Sequence, residues 1–532
     1  MAIKDYLYAN LMALFVSAGL IVFSLRYVVG ETESKFLAIQ GFEFFENRTK
    51  LSSYLTVIVV GLLFVTLPQR PKRQKLAPGI PIVGGSDIQH VKQNRKRFIH
   101  DGKSMLAEGY RKTKGGFFYV PSNCGERLML PVKYLEDLKT APIDQVDFVA
   151  TFIEYLIFGE KDVRGLKDFQ SADVMPAVQR EIRNAFDAAF PPCEDWTEIN
   201  VVERITKVVA RVSSCMFGGI ELSENEKWVE ASIAFAIDGF HGAQKIKRYP
   251  HVLRPIAKYF ISEIRSIAGH YAEAEKAAIP ILEARQKAGE KALDLLYWMS
   301  DQAKGSERNM KFIASILLKV SFAAIHTSAA APSQLIYDLC AMPEYVEPLR
   351  KEVESVLDPD GNIDKKSFGQ LVKLDSIMKE SQRFNPLLLI TFERVVHTPY
   401  RLSDGFVIPA HTHIGVPTSS LLMDPDLYPD PTRYDGFRFA KIRTHEPNAD
   451  ASARAQYAAS NPSSMSFGFG RHSCPGRFFA ANEIKAIMGY LLLNFDMKFP
   501  EGKEKRPESL LFETQFLPNP TATVMFKRRK QA

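Results

Sequence analysis

The sequence predicts a mainly α-helical protein with small β-sheets, carried behind an N-terminal membrane anchor. Long stretches around 200–216, 255–285, 309–341 and 477–493 repeat their apolar residues with helical period, whereas only short runs alternate with strand period. The chain also opens with two uncharged apolar runs, which no cytosolic globule needs.

The first run, residues 6–25, is about one bilayer of helix, and the second, residues 51–68, is slightly shorter. A cleaved signal is the competing reading of the first, but its apolar core is long and no small-residue cleavage site follows. The second could instead be a buried strand pair, being rich in Val and Ile. The expectation is a transmembrane hairpin, with a single span as the alternative. Arg70, Lys72, Arg73 and Lys75 follow the second run and should stay cytosolic, so that the 30–50 loop is luminal. Asn47-Arg48-Thr49 in that loop is a glycosylation sequon set very near the bilayer.

Residues 69–89 read as a basic, Pro- and Gly-punctuated tether, with "LAPGIPIVGG" at its centre. Residues 90–532 then form one mainly helical domain, since no internal repeat or long linker interrupts them. Strands are expected at "GGFFYVPS", in "TPYRLSDGFVIPAHTHIGVP" and at "TATVMFKRR", with Asp404-Gly405 as a hairpin turn. A net charge of +7 over 532 residues, with no basic repeat, argues against a nucleic-acid partner. The five cysteines are scattered and form no CxxC pair, which fits reduced thiols facing the cytosol and excludes a zinc cluster by spacing.

One cysteine stands in unusual company. Cys474 lies in "SFGFGRHSCPGRFFA", among glycines, arginines and a histidine, directly before a helical pattern. Nearby cations, a helix N-terminus and approachable backbone amides all favour a thiolate. Three further pieces accompany it. "KESQRF" places Glu380 and Arg383 on one helix face, "YPDPTRYDGFRF" ends in Arg438-Phe439, and "FAAIHTS" puts Thr327 inside a long apolar helix. In these four motifs and their order, residues 76–532 resemble the cytochrome P450 family of haem-thiolate monooxygenases, in particular the fungal microsomal branch whose oxygen-binding helix reads A-A-I-H-T.

The resemblance implies the cytochrome P450 fold, and it gives each piece a role. Cys474 would be the axial ligand of haem iron, with Phe467 packed beside it. Glu380, Arg383 and Arg438 would form a buried structural network; a surface ion pair is the competing reading. Thr327 would bond back to a carbonyl near Ala323, open the helix and relay protons to dioxygen. His326 stands where many members carry an acid, so a proton-relay role and a packing role stay open together. His472 occupies the propionate-binding position. Arg183 matches the basic residue of the helix that crosses the haem, although Gln179 stands where that helix commonly has tryptophan. Arg394 is a further basic candidate. Apolar residues of 386–392 and 514–520, with the Thr327 helix and the segment before Arg183, would line a lipophilic pocket.

The function so implied is a membrane-bound monooxygenase of the endoplasmic reticulum with a cytosolic catalytic domain. It would use haem b, with electrons from NADPH through a separate reductase and cytochrome b5 as an optional second donor. Relatives with this helix oxidise terpenoids, indole diterpenes and related secondary metabolites. The alternatives are a haem-thiolate isomerase or dehydratase that needs no reductase, and a non-catalytic haem-binding sensor.

Overall fold

The computed structural model describes residues 76–530, apart from 86–87, 123–124, 152–174, 251–252, 365 and 446–447. The two apolar runs, the sequon, the basic run at 70–75 and Cys124 lie outside the described residues.

Eight helices organise the site: α1 Ile88–Thr113, α2 Met175–Ala189, α3 Val201–Gly218, α4 Glu226–Lys247, α5 Ser262–Ala288, α6 Met310–Ala341, α7 Val372–Phe384 and α8 Arg477–Asn494. The helix starts are chemically marked. Asn200 accepts from the Glu203 amide, Asn225 from Trp228, and Asn309 from Lys311 and Phe312, each satisfying donors that the first turn leaves open. α6 is apolar around most of its circumference, so it can only sit in the core. It packs against α3, α4, α5, α7 and α8. Among the described residues it is the one helix long and apolar enough to cross a bilayer, and this packing identifies it as a core helix.

Strands gather at the edges of this helical body. β1 (Phe118–Ser122), β2 (Gly125–Met129), β3 (Val146–Asp147), β5 (Thr391–Val396) and β8 (Thr412–Val416) form one sheet in the order β1-β2-β8-β5-β3, whose β2–β8 pair is parallel. β4 (Thr197–Asn200), β12 (Thr523–Arg528) and β9 (Phe495–Lys498) form a second, in the order β4-β12-β9. β6 (Tyr400–Arg401) and β7 (Val407–Ile408) make the hairpin turned at Asp404-Gly405, and β10 (Leu510–Phe512) pairs with β11 (Gln515–Leu517).

Two expectations change. Residues 77–83 do not stand off as a tether. The Tyr119 amide donates to Pro81, the Val83 amide donates to Tyr119, and the Ala77 amide reaches the Tyr119 hydroxyl, so the segment docks on the edge of β1. α1, α2 and α4 are long helices that apolar periodicity did not single out; α1 and α2 are amphipathic surface helices with a high polar share.

Candidate active site

The glycine-rich loop is folded by its own backbone. The Cys474 amide donates to the Phe467 carbonyl at 2.8 Å, and the Gly468 amide donates to Met465 at 2.8 Å. Gly468 and Gly470 have φ of +72° and +73°, a region that favours glycine. A side chain on Gly470 would also lie 2.7 Å from Lys139 Cβ, which explains the residue twice over. Gly476 is the N-cap of α8, so Cys474 sits two residues before a helix N-terminus. Arg477 donates to the Cys474 carbonyl at 2.9 Å. Phe467 is half-buried and meets Tyr457 edge-on at 5.4 Å.

The electrostatics of the sulfur differ from expectation. Burial pushes the Cys474 thiol up, against the Gly476 amide and the Arg477 charge, which pull it down. A bound cation beside the sulfur would favour its charged form further.

Thr327 does what its spacing predicts. Its hydroxyl donates to the Ala323 carbonyl at 2.7 Å, with Ala324 at 3.1 Å. Pro332 has no amide to return to Ser328, so the backbone bonding of α6 is weakened just beyond. Ala323 and Thr327 are exposed in mid-helix although Ile325, Ser328, Ala329 and Ala330 are buried. Apolar ring contacts join α6 to α4 and α4 to β10. Phe322 meets Phe235 of α4 edge-on at 6.0 Å, and Phe240 of α4 meets Phe512 of β10 at 6.0 Å. Leu388 is exposed and pairs with Gln515. Leu389 and Ile390, expected in the pocket wall, are fully buried core residues instead, because Leu389 is tied by its amide to Thr514.

The His326 ring reaches the Ile233 carbonyl of α4 through Nε2 at 3.1 Å, and burial lowers its pKa. His472 stacks on Phe148 with centroids 4.8 Å apart. Arg394 lies over the other side of this group, 4.7 Å from the Phe148 ring and 4.3 Å from Phe392. A β-bulge between Thr391 and Arg394, with Phe392 at φ +54°, turns it inward. Burial lowers its pKa to about 10, so it is a cation at neutral pH.

The network on α7 is complete. Arg383 grips Glu380 through Nε at 2.9 Å and Nη2 at 2.8 Å, and Arg438 reaches the same carboxylate at 3.3 Å. Arg383 also donates to the carbonyls of Leu422 and Pro431, and Arg438 to that of Pro429. The chain leading into the Cys474 loop is thereby pinned to α7.

A match to the cytochrome P450 family profile covers residues 164–525. The chain is 35% identical to the cytochrome P450 monooxygenase braC of Annulohypoxylon truncatum over 89% of its own length and 97% of that protein's. The chain is a cytochrome P450 monooxygenase. It is also 31% identical to an ent-kaurene oxidase of Gibberella fujikuroi, covering 85% of this chain and 92% of that one. Its fold is that of the retinoic-acid-bound cyanobacterial CYP120A1, with a TM-score of 0.62 at 18% identity over 82% of this chain and 96% of that one.

The donor set fits the haem that this cytochrome P450 family uses: one cysteine at a helix N-terminus, with two basic side chains, His472 and Arg394, gathered on Phe148. Arg183 is not brought to this group. Gln179 makes two bonds to the Ile363 backbone, at 2.8 and 2.6 Å, which fix the rotation of α2. Arg183 is then exposed and acts on Tyr490, about 20 Å along α8 from its start. Phe148 was not legible as a site residue, because it belongs to no pattern of spacing on its own element.

Proposed function

We propose that this cytochrome P450 is a membrane-anchored monooxygenase that inserts one oxygen atom from dioxygen into a lipophilic terpenoid-type metabolite, with an indole diterpene as one such substrate. The observation that carries this reading is the pairing of the Cys474 loop with a second core helix on which Thr327 is bonded back to Ala323 and exposed. Cys474 would hold the haem iron, and His472 and Arg394 would face its propionates. When bound, the haem supplies the oxygen-activating chemistry, which an electron-donating thiolate favours.

The remaining work falls to the chain. Thr327 Oγ1 rests its proton on a backbone carbonyl and can pass one on while accepting another from water. Phe240, Phe322, Phe512 and Leu388 exclude water and orient an apolar substrate. The relative named ent-kaurene oxidase supports the terpenoid class. Residues 6–25 and 51–68 would anchor the chain in the endoplasmic reticulum, with residues 69 onward cytosolic. Electrons would come from NADPH through a separate reductase, with cytochrome b5 as an optional donor.

The test is oxygen and NADPH consumption by the full-length protein with reductase. Uptake of one dioxygen per product formed is expected. The Cys474→Ala variant should lose both turnover and the red-shifted band of the reduced, CO-bound haem. Conversion without reductase would favour the isomerase alternative, and a Cys474→Ala variant that keeps the band would refute the ligand.

A further inference from the structure

His326 sits one residue before Thr327, yet its ring leaves the helix that carries it. Nε2 lies 3.1 Å from the carbonyl of Ile233, which belongs to the middle of α4. A carbonyl can only accept, so Nε2 carries the proton and donates. Ile233 already serves its own helix, because the i+4 amide of an α-helix takes one of its lone pairs. The imidazole takes the second. It is therefore an added bond between two helices, made in surroundings that disfavour the charged ring.

Around this bond the α4–α6 contact is apolar and close. Phe235 meets Phe322 edge-on, and a side chain on Gly239 would stand 3.7 Å from the Phe322 ring. On its other side α4 is joined to α5 by Asp238 and His270 at 2.8 Å. One turn further along, Phe240 touches Phe512 of the β10–β11 hairpin. Any rotation of α4 about its axis thus moves Phe240 relative to Ala323 and Thr327. Apolar contacts resist such rotation weakly, because they are not directional. A hydrogen bond to a fixed carbonyl is directional.

We propose that His326 is a positioning residue: its Nε2–H bond to Ile233 fixes the rotation of α4 on α6 and so sets the wall that an apolar substrate meets beside Thr327. This rests on the oxygenase reading of α6, and it gives the histidine a role separate from the proton chemistry of its neighbour. The proton on Nε2 is committed to Ile233, and a relay through that atom would first have to break the helix–helix bond.

The test compares His326→Gln with His326→Asn in the full-length haem-loaded protein. A glutamine amide nitrogen can stand where Nε2 stands; that of asparagine reaches only as far as Nδ1. Hydrogen exchange in α4 peptides, residues 226–247, is the readout. Asn should speed exchange about tenfold, equivalent to ~1.4 kcal/mol, and Gln should recover most of the protection. Binding of an apolar type I ligand such as a terpenoid alcohol, followed by the haem spin-state shift, should weaken in Asn and much less in Gln.

Equal exchange in Gln, Asn and the parent protein would overturn the proposal. So would a peroxide leak in both variants with α4 protection intact, which would put His326 in the proton chemistry. The exchange result does not depend on turnover, so a failure of the monooxygenase reading would show separately in oxygen uptake. If either variant fails to take up haem, His326→Phe replaces it, with Asn-like loosening expected.

Discussion

Replacing Glu380 with alanine should be among the most damaging single changes in this protein, although Glu380 touches no reacting atom. Its carboxylate is fully buried and accepts from Arg383 Nε, Arg383 Nη2, Arg438 Nε and the Asp435 amide. Arg383 is 1% exposed and cannot regain water when its partner goes. Removing one member of such a buried pair costs about 3–5 kcal/mol, because the charge left behind is uncompensated. Unfolding entropy scales as roughly 2 cal/mol/K per residue, so roughly 450 folded residues give about 1 kcal/mol/K. The expected fall in melting temperature is then about 3–5 °C. A second effect accompanies it. The carbonyls of Leu422, Pro429 and Pro431 lose their fixed donors, and the chain entering the Cys474 loop is released. Haem occupancy should fall more steeply than helix content. The assay is the CO-bound difference spectrum beside circular dichroism on the same sample. A Glu380→Ala variant with parental melting temperature and full haem occupancy would refute the argument.

Two other expectations concern the site itself. Thr327→Ala should keep haem bound, since the ligand loop is untouched, but lower product formation about 10²-fold while NADPH is still consumed and hydrogen peroxide appears; unchanged coupling would show that the hydroxyl is dispensable. Arg394→Ala should speed haem loss on apomyoglobin capture, because it removes a buried cation and two ring contacts of about 0.5–2 kcal/mol each, whereas Arg394→Lys should recover only part, since an ammonium cannot lie flat on Phe148 and Phe392; equal haem retention in both would show that Arg394 serves the sheet alone.

The site was legible where its chemistry is local in sequence. The Cys474 loop, the back-bond of Thr327 and the Glu380–Arg383 pair each follow from spacing within a few residues, and helical period alone placed α3, α6 and α8 within two residues. What stayed hidden depends on distant partners. Arg183 had the expected residue type but is exposed, while Gln179 on the same helix is bound to Ile363, 184 residues away, a partner that local sequence does not reveal. Arg394 could be weighed only as one of several basic residues, because the bulge that buries it forms against β8. His326 could not be assigned between relay and packing, because its partner is a main-chain carbonyl 93 residues earlier, which leaves no mark in composition. The leucines of 386–392 could not be divided into wall and core, because register with Thr514 and Gln515 decides it.

The same logic explains why so many charges are buried far from the chemistry. α8 begins at the ligand loop, and a helix held only by apolar contacts could slide or turn. It carries Glu483 and Lys485, both facing inward. Glu483 accepts from Ser213 of α3 at 2.6 Å; burial raises its pKa to about 7, and Ser213 and Ser328 oppose that rise. Lys485 pairs with Asp375 of α7 at 2.6 Å. Asp375 also accepts from the Tyr457 amide, and Tyr457 packs on Phe467. Each of these groups costs solvation energy on folding, and apolar residues of equal size could be as stabilising. Directional bonds add register instead. Glu483 fixes α8 against α3 next to the residue that follows Thr327, and Lys485 fixes it against the helix that bears Glu380. The sulfur of Cys474 and the hydroxyl of Thr327 are therefore held in one frame by groups that never touch a substrate. Such buried charges are best understood as the means by which a large apolar core keeps two distant reactive atoms at a constant separation.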